Sequence, residues 1–297
     1  MAKLFASRGV KTTFVTSPGF AEPIQKARDS GTDIGLSTIK FPPEGSGLPD
    51  YFVSVDQIMS DELISDFVKA VYLIQEPVEK LIQELRPTCL VADMFLPWTV
   101  DTAAKFGIPR LVFHGTGYLS LCAFEQMNRH EPFKNVLSDS EPFVVPDLPH
   151  QLEFVRTQVA EFDLMENGND YSKLVKQMRD GWNSTLEGVC AGVPMVTWPS
   201  FAEQFFNEKL VTEVLRIGAP VGNKKWQQVV SEGVAGEALA KAVQLVMAGE
   251  SASKMRAKCY KEMARKAVEE GGSSYNDLSA LIQDLSTYSP LLENNIM

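Results

Sequence analysis

The segment Thr88–Phe95, TCLVADMF, constrains this chain more than any other feature. A near-continuous apolar run of strand length marks a strand buried on both faces, and such strands belong to parallel sheets. Parallel strands need long crossovers, and the flanking sequence supplies them. Upstream, Asp61–Leu85 carries apolar residues at helical spacing, among them Leu63, Phe67, Val71, Ile74, Val78 and Ile82. Pro77 is expected to kink or split that helix. Downstream come a short helix, Gly107 and a second strand, Arg110–His114. This βαβα rhythm predicts an α/β chain whose parallel sheet is covered by helices on both faces.

The rhythm extends to both ends. Met1–Arg8 reads as the end of an amphipathic helix closed by Gly9, followed by a β-branched strand at Lys11–Thr16 and a turn at Ser17-Pro18-Gly19. Asp33–Phe41 is a strand candidate, and the Pro- and Gly-rich stretch Pro42–Asp50 is a loop. Glu131–Phe162 reads as irregular with short elements, and Tyr171–Arg179 as helix. A strand at Met195–Trp198, a helix over Phe201–Arg216, a short strand at Ala219–Val221 and three helices within Ala235–Leu285 complete the chain.

Composition narrows the partners. A net charge of −10 and an isoelectric point near 4.9 argue against nucleic acid or an anionic membrane as partner. No run of apolar residues is long enough for a membrane span, and MAKLFASRGV lacks the apolar core of a secretory signal. Cys89, Cys122, Cys190 and Cys259 lie far apart without metal-ligand spacing, so they read as buried free thiols of a cytoplasmic protein. No metal is expected.

Gly181–Gln204, GWNSTLEGVCAGVPMVTWPSFAEQ, carries the chemistry. Asn183 and Ser184 precede a helical stretch, where their polar groups and the first-turn N–H groups form an anion site for a diphosphate. Ser184 and Glu187 also have the spacing of a capping box, the favoured reading of that pair taken alone. Glu203 and Gln204 open the next helix. A carboxylate beside an amide can grip vicinal sugar hydroxyls, although an acid in a first helical turn needs no ligand. Two such helix starts one βα unit apart point to a site at the carboxyl ends of parallel strands.

This motif resembles the second half of the signature motif of plant family 1 UDP-glycosyltransferases. TCLVADMFLPWTVDTAAKFGIPRLVFHGTG, FNEKLVTEVLRIG and GGSSYNDL are also similar to that family, so the resemblance covers nearly the whole chain. It implies two Rossmann-like domains of the GT-B type. These would be an acceptor-binding domain over 1–180 that lacks its first strand and an incomplete UDP-sugar-binding domain over 181–297. By resemblance, Trp182 lies beside the sugar, Asn183 and Ser184 bind the diphosphate, Glu187 binds the ribose, and Glu203 and Gln204 hold the sugar hydroxyls. Asp93 matches the acidic member of a catalytic His–Asp dyad. From residues alone, an aspartate closing a strand and capping the next turn is an equal reading.

The same resemblance exposes two gaps. His114, His130 and His150 are the only histidines, and none matches the position of the family's base histidine. The first half of the signature motif is missing too, and Asp180 stands where a cysteine precedes Gly-Trp-Asn-Ser. The implied activity is inverting transfer of a sugar, chiefly glucose, from a UDP-sugar co-substrate to a hydroxyl of a phenolic, flavonoid or terpenoid aglycone. The alternative is a catalytically dead or weakly binding shortened chain that holds an aglycone or a partner. A nicotinamide dehydrogenase fails for want of GxGxxG after a strand, and an α/β-hydrolase for want of GxSxG.

Overall fold

Threonines and apolar residues make up the first strand, β1 (Thr12–Thr16), which pairs in parallel with β2 (Ile34–Thr38), Thr12 opposite Ile34 and Thr16 opposite Thr38. The computed structural model describes residues 1–53, 57, 61–93, 95–115, 117–159, 184–200, 203–226, 235–248 and 252–288. They fall into two compact units, Met1–Val112 with Tyr288, and Phe113–Thr287. The expected boundary at Asp180–Gly181 lies outside the described residues, as does the helix expected at Tyr171–Arg179.

In the first unit, α1 (Ala2–Ser7) precedes β1 and ends before Gly9, whose φ of +75° suits only glycine without strain. The crossover to β2 is α2 (Glu22–Asp29), which the sequence reading had left as connection. Its Pro23 sits in the first turn, where a missing N–H costs nothing. The loop that follows places Phe41 and Phe52 against Phe67, with ring centroids 6.1–6.3 Å apart. Gly47 lies against the Asp66 carboxylate so closely that a β-carbon there would overlap it.

The long helix splits in two, α3 (Asp61–Leu73) and α4 (Gln75–Leu85). The break falls at Ile74, ahead of Pro77. The proline ring collides with the carbonyl four residues earlier, on Leu73, so the first helix has to end there. Pro77 itself fits the opening turn of α4. Trp98 Nε1 donates to the Val71 carbonyl at 2.8 Å and ties α3 to the start of α5 (Thr99–Phe106). Glu79 of α4 accepts from Thr102 of α5 at 3.1 Å and pairs with Lys105.

TCLVADMF forms a shorter strand than expected, β3 (Leu90–Asp93), paired with β4 (Arg110–Phe113). Only Ala92 of β3 is buried, and Val91 is 41% exposed. The expectation of a doubly buried strand is therefore corrected. Among the described residues β3 has a neighbour along one edge only, and the strands form four two-stranded sheets instead of one continuous sheet.

The second unit opens with α6 (Tyr118–His130). The stretch read as irregular contains an antiparallel hairpin, β5 (Pro142–Val144) with β6 (Glu153–Val155), flanked by 3-10 turns. Phe143 and Phe154 stand opposite each other on it. With Met127, Phe133, Leu152, Phe205 and Phe206 they build the largest core of this unit. The Phe154 and Phe206 rings lie 5.1 Å apart, an arrangement worth about 0.5–1.5 kcal/mol beyond burial. Arg156 donates to the carbonyls of Phe133 (3.0 Å) and Val136 (2.6 Å) and to Asp139 (3.2 Å), folding the 132–139 turn onto the hairpin.

The remainder is a βα arrangement. α7 (Ser184–Ala191) leads to β7 (Met195–Thr197), which pairs in parallel with β8 (Gly218–Pro220). Between them run α8 (Gln204–Lys209) and a π-helical turn at Leu210–Val214. Three helices close the unit: α9 (Gly236–Met247), α10 (Ala252–Val268) and α11 (Ser273–Thr287). Ala257 of α10 is fully buried against Val211 and Ile217. The cysteines correct another expectation. All four are free, but Cys122, Cys190 and Cys259 are exposed on helices and Cys89 is half-buried. No described helix is long and apolar enough to cross a membrane.

Candidate functional site

Beyond the carboxyl end of β7 the chain leaves the sheet through Trp198-Pro199-Ser200 and re-enters helix at Glu203 and Gln204. Several short bonds fix this corner. Gln204 Oε1 accepts the Ser200 N–H at 2.8 Å, and Asn223 donates to the Pro199 carbonyl at 2.6 Å. Thr197, the last residue of β7, donates its hydroxyl to Glu208 at 2.7 Å, which pins α8 to the strand. Burial pushes the Glu208 carboxyl above its usual pKa, and the Thr197 bond opposes that shift.

Glu203 is only 5% exposed and makes no side-chain bond to its own helix start. Its carboxylate accepts instead from Asn207 Nδ2 at 3.0 Å, one turn further on. Asn207 Oδ1 in turn accepts from the Ser120 hydroxyl of α6 at 2.9 Å. The amide nitrogen of Gln204 makes no hydrogen bond among the described residues. The corner therefore offers a buried carboxylate beside an amide donor, the pair needed to grip adjacent hydroxyls.

The other residues of the motif contribute less visible geometry. Trp182 and Asn183 lie outside the described residues. Ser184 begins α7, its side chain lying outside the described set, and Glu187 is exposed in the first turn of that helix. Sequence reasoning missed Ser120, Asn207, Thr197 and Glu208. The spacing of four between Glu203 and Asn207 is readable in a helix, but nothing local points to Ser120, which is 87 residues from Asn207.

Asp93 belongs to the first unit, where it ends β3. Its Oδ1 accepts the Phe95 N–H at 2.9 Å, so it does close the turn after the strand. Its other carboxylate oxygen makes no hydrogen bond among the described residues. Arg110 donates to the Asp93 carbonyl at 3.3 Å and to the Thr99 hydroxyl at 2.6 Å, bracing the turn from β4. Although Asp93 counts as exposed by surface area, the atoms packed around it raise its carboxyl pKa. The Phe95 N–H and the charge of Arg110 oppose that rise. His130 bonds Asp147 at 3.1 Å, whereas His114 and His150 are exposed. No cluster of three or more metal-ligating side chains occurs among the described residues.

Known proteins share both fold and sequence with this chain. A crystal structure of a Glycyrrhiza uralensis glycosyltransferase complexed with glycyrrhetinic acid 3-O-monoglucuronide superposes with a TM-score of 0.87. It covers 96% of this chain and 92% of its own, at 24% identity. The chain thus has the α/β fold of the GT-B glycosyltransferases. A family profile described as UDP-glucoronosyl and UDP-glucosyl transferase matches residues 178–262. Scopoletin glucosyltransferase of Nicotiana tabacum is 38% identical over 450 aligned positions, spanning 97% of this chain and 94% of the relative. Anthocyanin 3'-O-beta-glucosyltransferase of Gentiana triflora is 32% identical over 457 positions, spanning 97% and 95%. The chain belongs to the plant family 1 UDP-glycosyltransferases, and by that membership it is a hexosyltransferase. An alignment of 450 positions against 297 residues leaves at least 153 positions with no residue of this chain opposite them.

Proposed function

We propose that this chain transfers glucose from UDP-glucose, with inversion, to a hydroxyl of a phenolic, flavonoid or terpenoid plant aglycone in the cytoplasm. The observation that carries the reading is the buried Glu203 carboxylate beside the Gln204 amide, at the carboxyl end of parallel β7. Two relatives that are glucosyltransferases support glucose as the sugar, and their printed acceptors, scopoletin and anthocyanin, support a phenolic aglycone. Glu203 and Gln204 hold the sugar hydroxyls, with Trp182 beside the ring. Asn183, Ser184 and the first N–H groups of α7 hold the diphosphate, and Glu187 holds the ribose. The acceptor oxygen attacks the anomeric carbon opposite the diphosphate, the bond to UDP breaks, and UDP departs with the electron pair. Residues 1–180 receive the acceptor and 181–297 the donor.

The proton of the acceptor is the weak point. Asp93, with one carboxylate oxygen left for an imidazole, is suited to orient a base, but none of the three histidines matches the base position. The proton passes to water. Loss of a general base alone costs about 10²–10⁴ in rate. The unmatched alignment positions support a chain shortened within its donor domain, which lowers the rate further.

The purified chain, given UDP-glucose with scopoletin, flavonols and triterpenoids, should turn over at least about a thousandfold more slowly than an intact relative. Turnover at an intact relative's rate contradicts the shortened-site reading. No turnover together with no UDP binding contradicts the enzymatic one and leaves a non-catalytic chain that binds an aglycone or a partner.

A further inference from the structure

We infer that Asn207 and Ser120 are positioning residues that aim the Glu203 carboxylate at the donor sugar. The inference rests on the proposed role of Glu203 and adds the device that sets its direction. A buried carboxylate requires hydrogen-bond donors, and the Asn207 amide supplies one at 3.0 Å. An ionised carboxylate only accepts, so the nitrogen side of that amide must face Glu203. Asn207 Oδ1 then has to face the other way, where the Ser120 hydroxyl donates to it at 2.9 Å. Both ends of the amide are thereby specified.

Ser120 is 2% exposed and sits on α6, whose neighbours include the aromatic core of the same unit. The relay therefore anchors Glu203 to a packed helix as well as to its own. Asn207 is held a second time, since its backbone N–H donates to the Glu203 carbonyl at 3.0 Å. A carboxylate held this way before the sugar arrives loses no rotamer freedom on binding. The bond is charge-assisted, the stronger class, so its removal should cost about tenfold in sugar recognition.

The test measures dissociation constants of UDP-glucose and UDP on the full chain by calorimetry. Their ratio isolates the sugar contacts from those of the nucleotide. Glu203→Gln should shift that ratio against UDP-glucose by about tenfold. Asn207→Asp should shift it as far at neutral pH and recover part of it in acid. Two facing carboxylates repel until they share a proton, an effect that simple loosening of the fold would not produce. Ser120→Ala, which removes one hydroxyl and keeps the helix, should shift the ratio several-fold and leave UDP binding alone. If Glu203→Gln shifts the ratio while both relay variants leave it unchanged, the positioning role is overturned and the site reading stands. If Glu203→Gln leaves the ratio unchanged, or the chain binds neither ligand, the reading of Glu203 falls and the relay with it.

Discussion

Glu208 shows how one buried side chain ties the site to pH. Its folded pKa lies above the ordinary glutamate value because burial disfavours the charged form. Below the ordinary value both folded and unfolded chains hold the proton, and the residue is neutral in its effect. As pH rises above about 4.5 the unfolded chain ionises first, so stability falls through that window. Glu208→Gln keeps an acceptor for Thr197 and removes the charge. Its midpoint temperature should match the parent near pH 4 and exceed it near pH 7.5, an expectation that calorimetry at the two pH values checks. A constant difference would contradict it. At this scale the sequence was readable where chemistry is local. The Glu203–Gln204 pair announced itself by composition and position, whereas the burial of Glu208 and its bond to Thr197 required the helix to sit on the strand.

At the scale of elements, Arg156 holds the 132–139 turn against the hairpin through two carbonyls and a carboxylate. Arg156→Ala leaves the Phe133 and Val136 carbonyls without that donor, a loss of about 2–3 kcal/mol. Arg156→Lys should recover only a minor part, because an ammonium cannot reach three acceptors arranged for a planar fork. Urea unfolding checks both, and a lysine variant as stable as the parent would contradict the fork argument. Helix limits were legible because Pro77 and Gly9 act on neighbours within one turn. The hairpin was not, since Pro142, Pro146 and Pro149 read as loop. Its strands are defined by cross-strand pairing of Phe143 with Phe154, which no local pattern encodes.

The whole molecule carries apolar strands in pairs too small to cover them. Phe14, Val15, Val91 and Val112 are all more than a third exposed. Parallel strands with uncovered faces and unpaired edges are templates for association. Light scattering should therefore rise with concentration, and more steeply as pH falls toward 4.9, where the net charge vanishes. Val15→Lys and Val91→Lys should lower it near neutral pH, and scattering that is unchanged by both would contradict the edge argument. The sequence by itself determined the α/β rhythm, the family motif, the acidic surface and the residue types at the donor site. These depend on periods of two or 3.6 residues and on contiguous segments. Only the tertiary structure decided that the strands pair in twos, that three cysteines face solvent and that Ser120 reaches Asn207. Such outcomes depend on which distant segments lie side by side, and no local period records that.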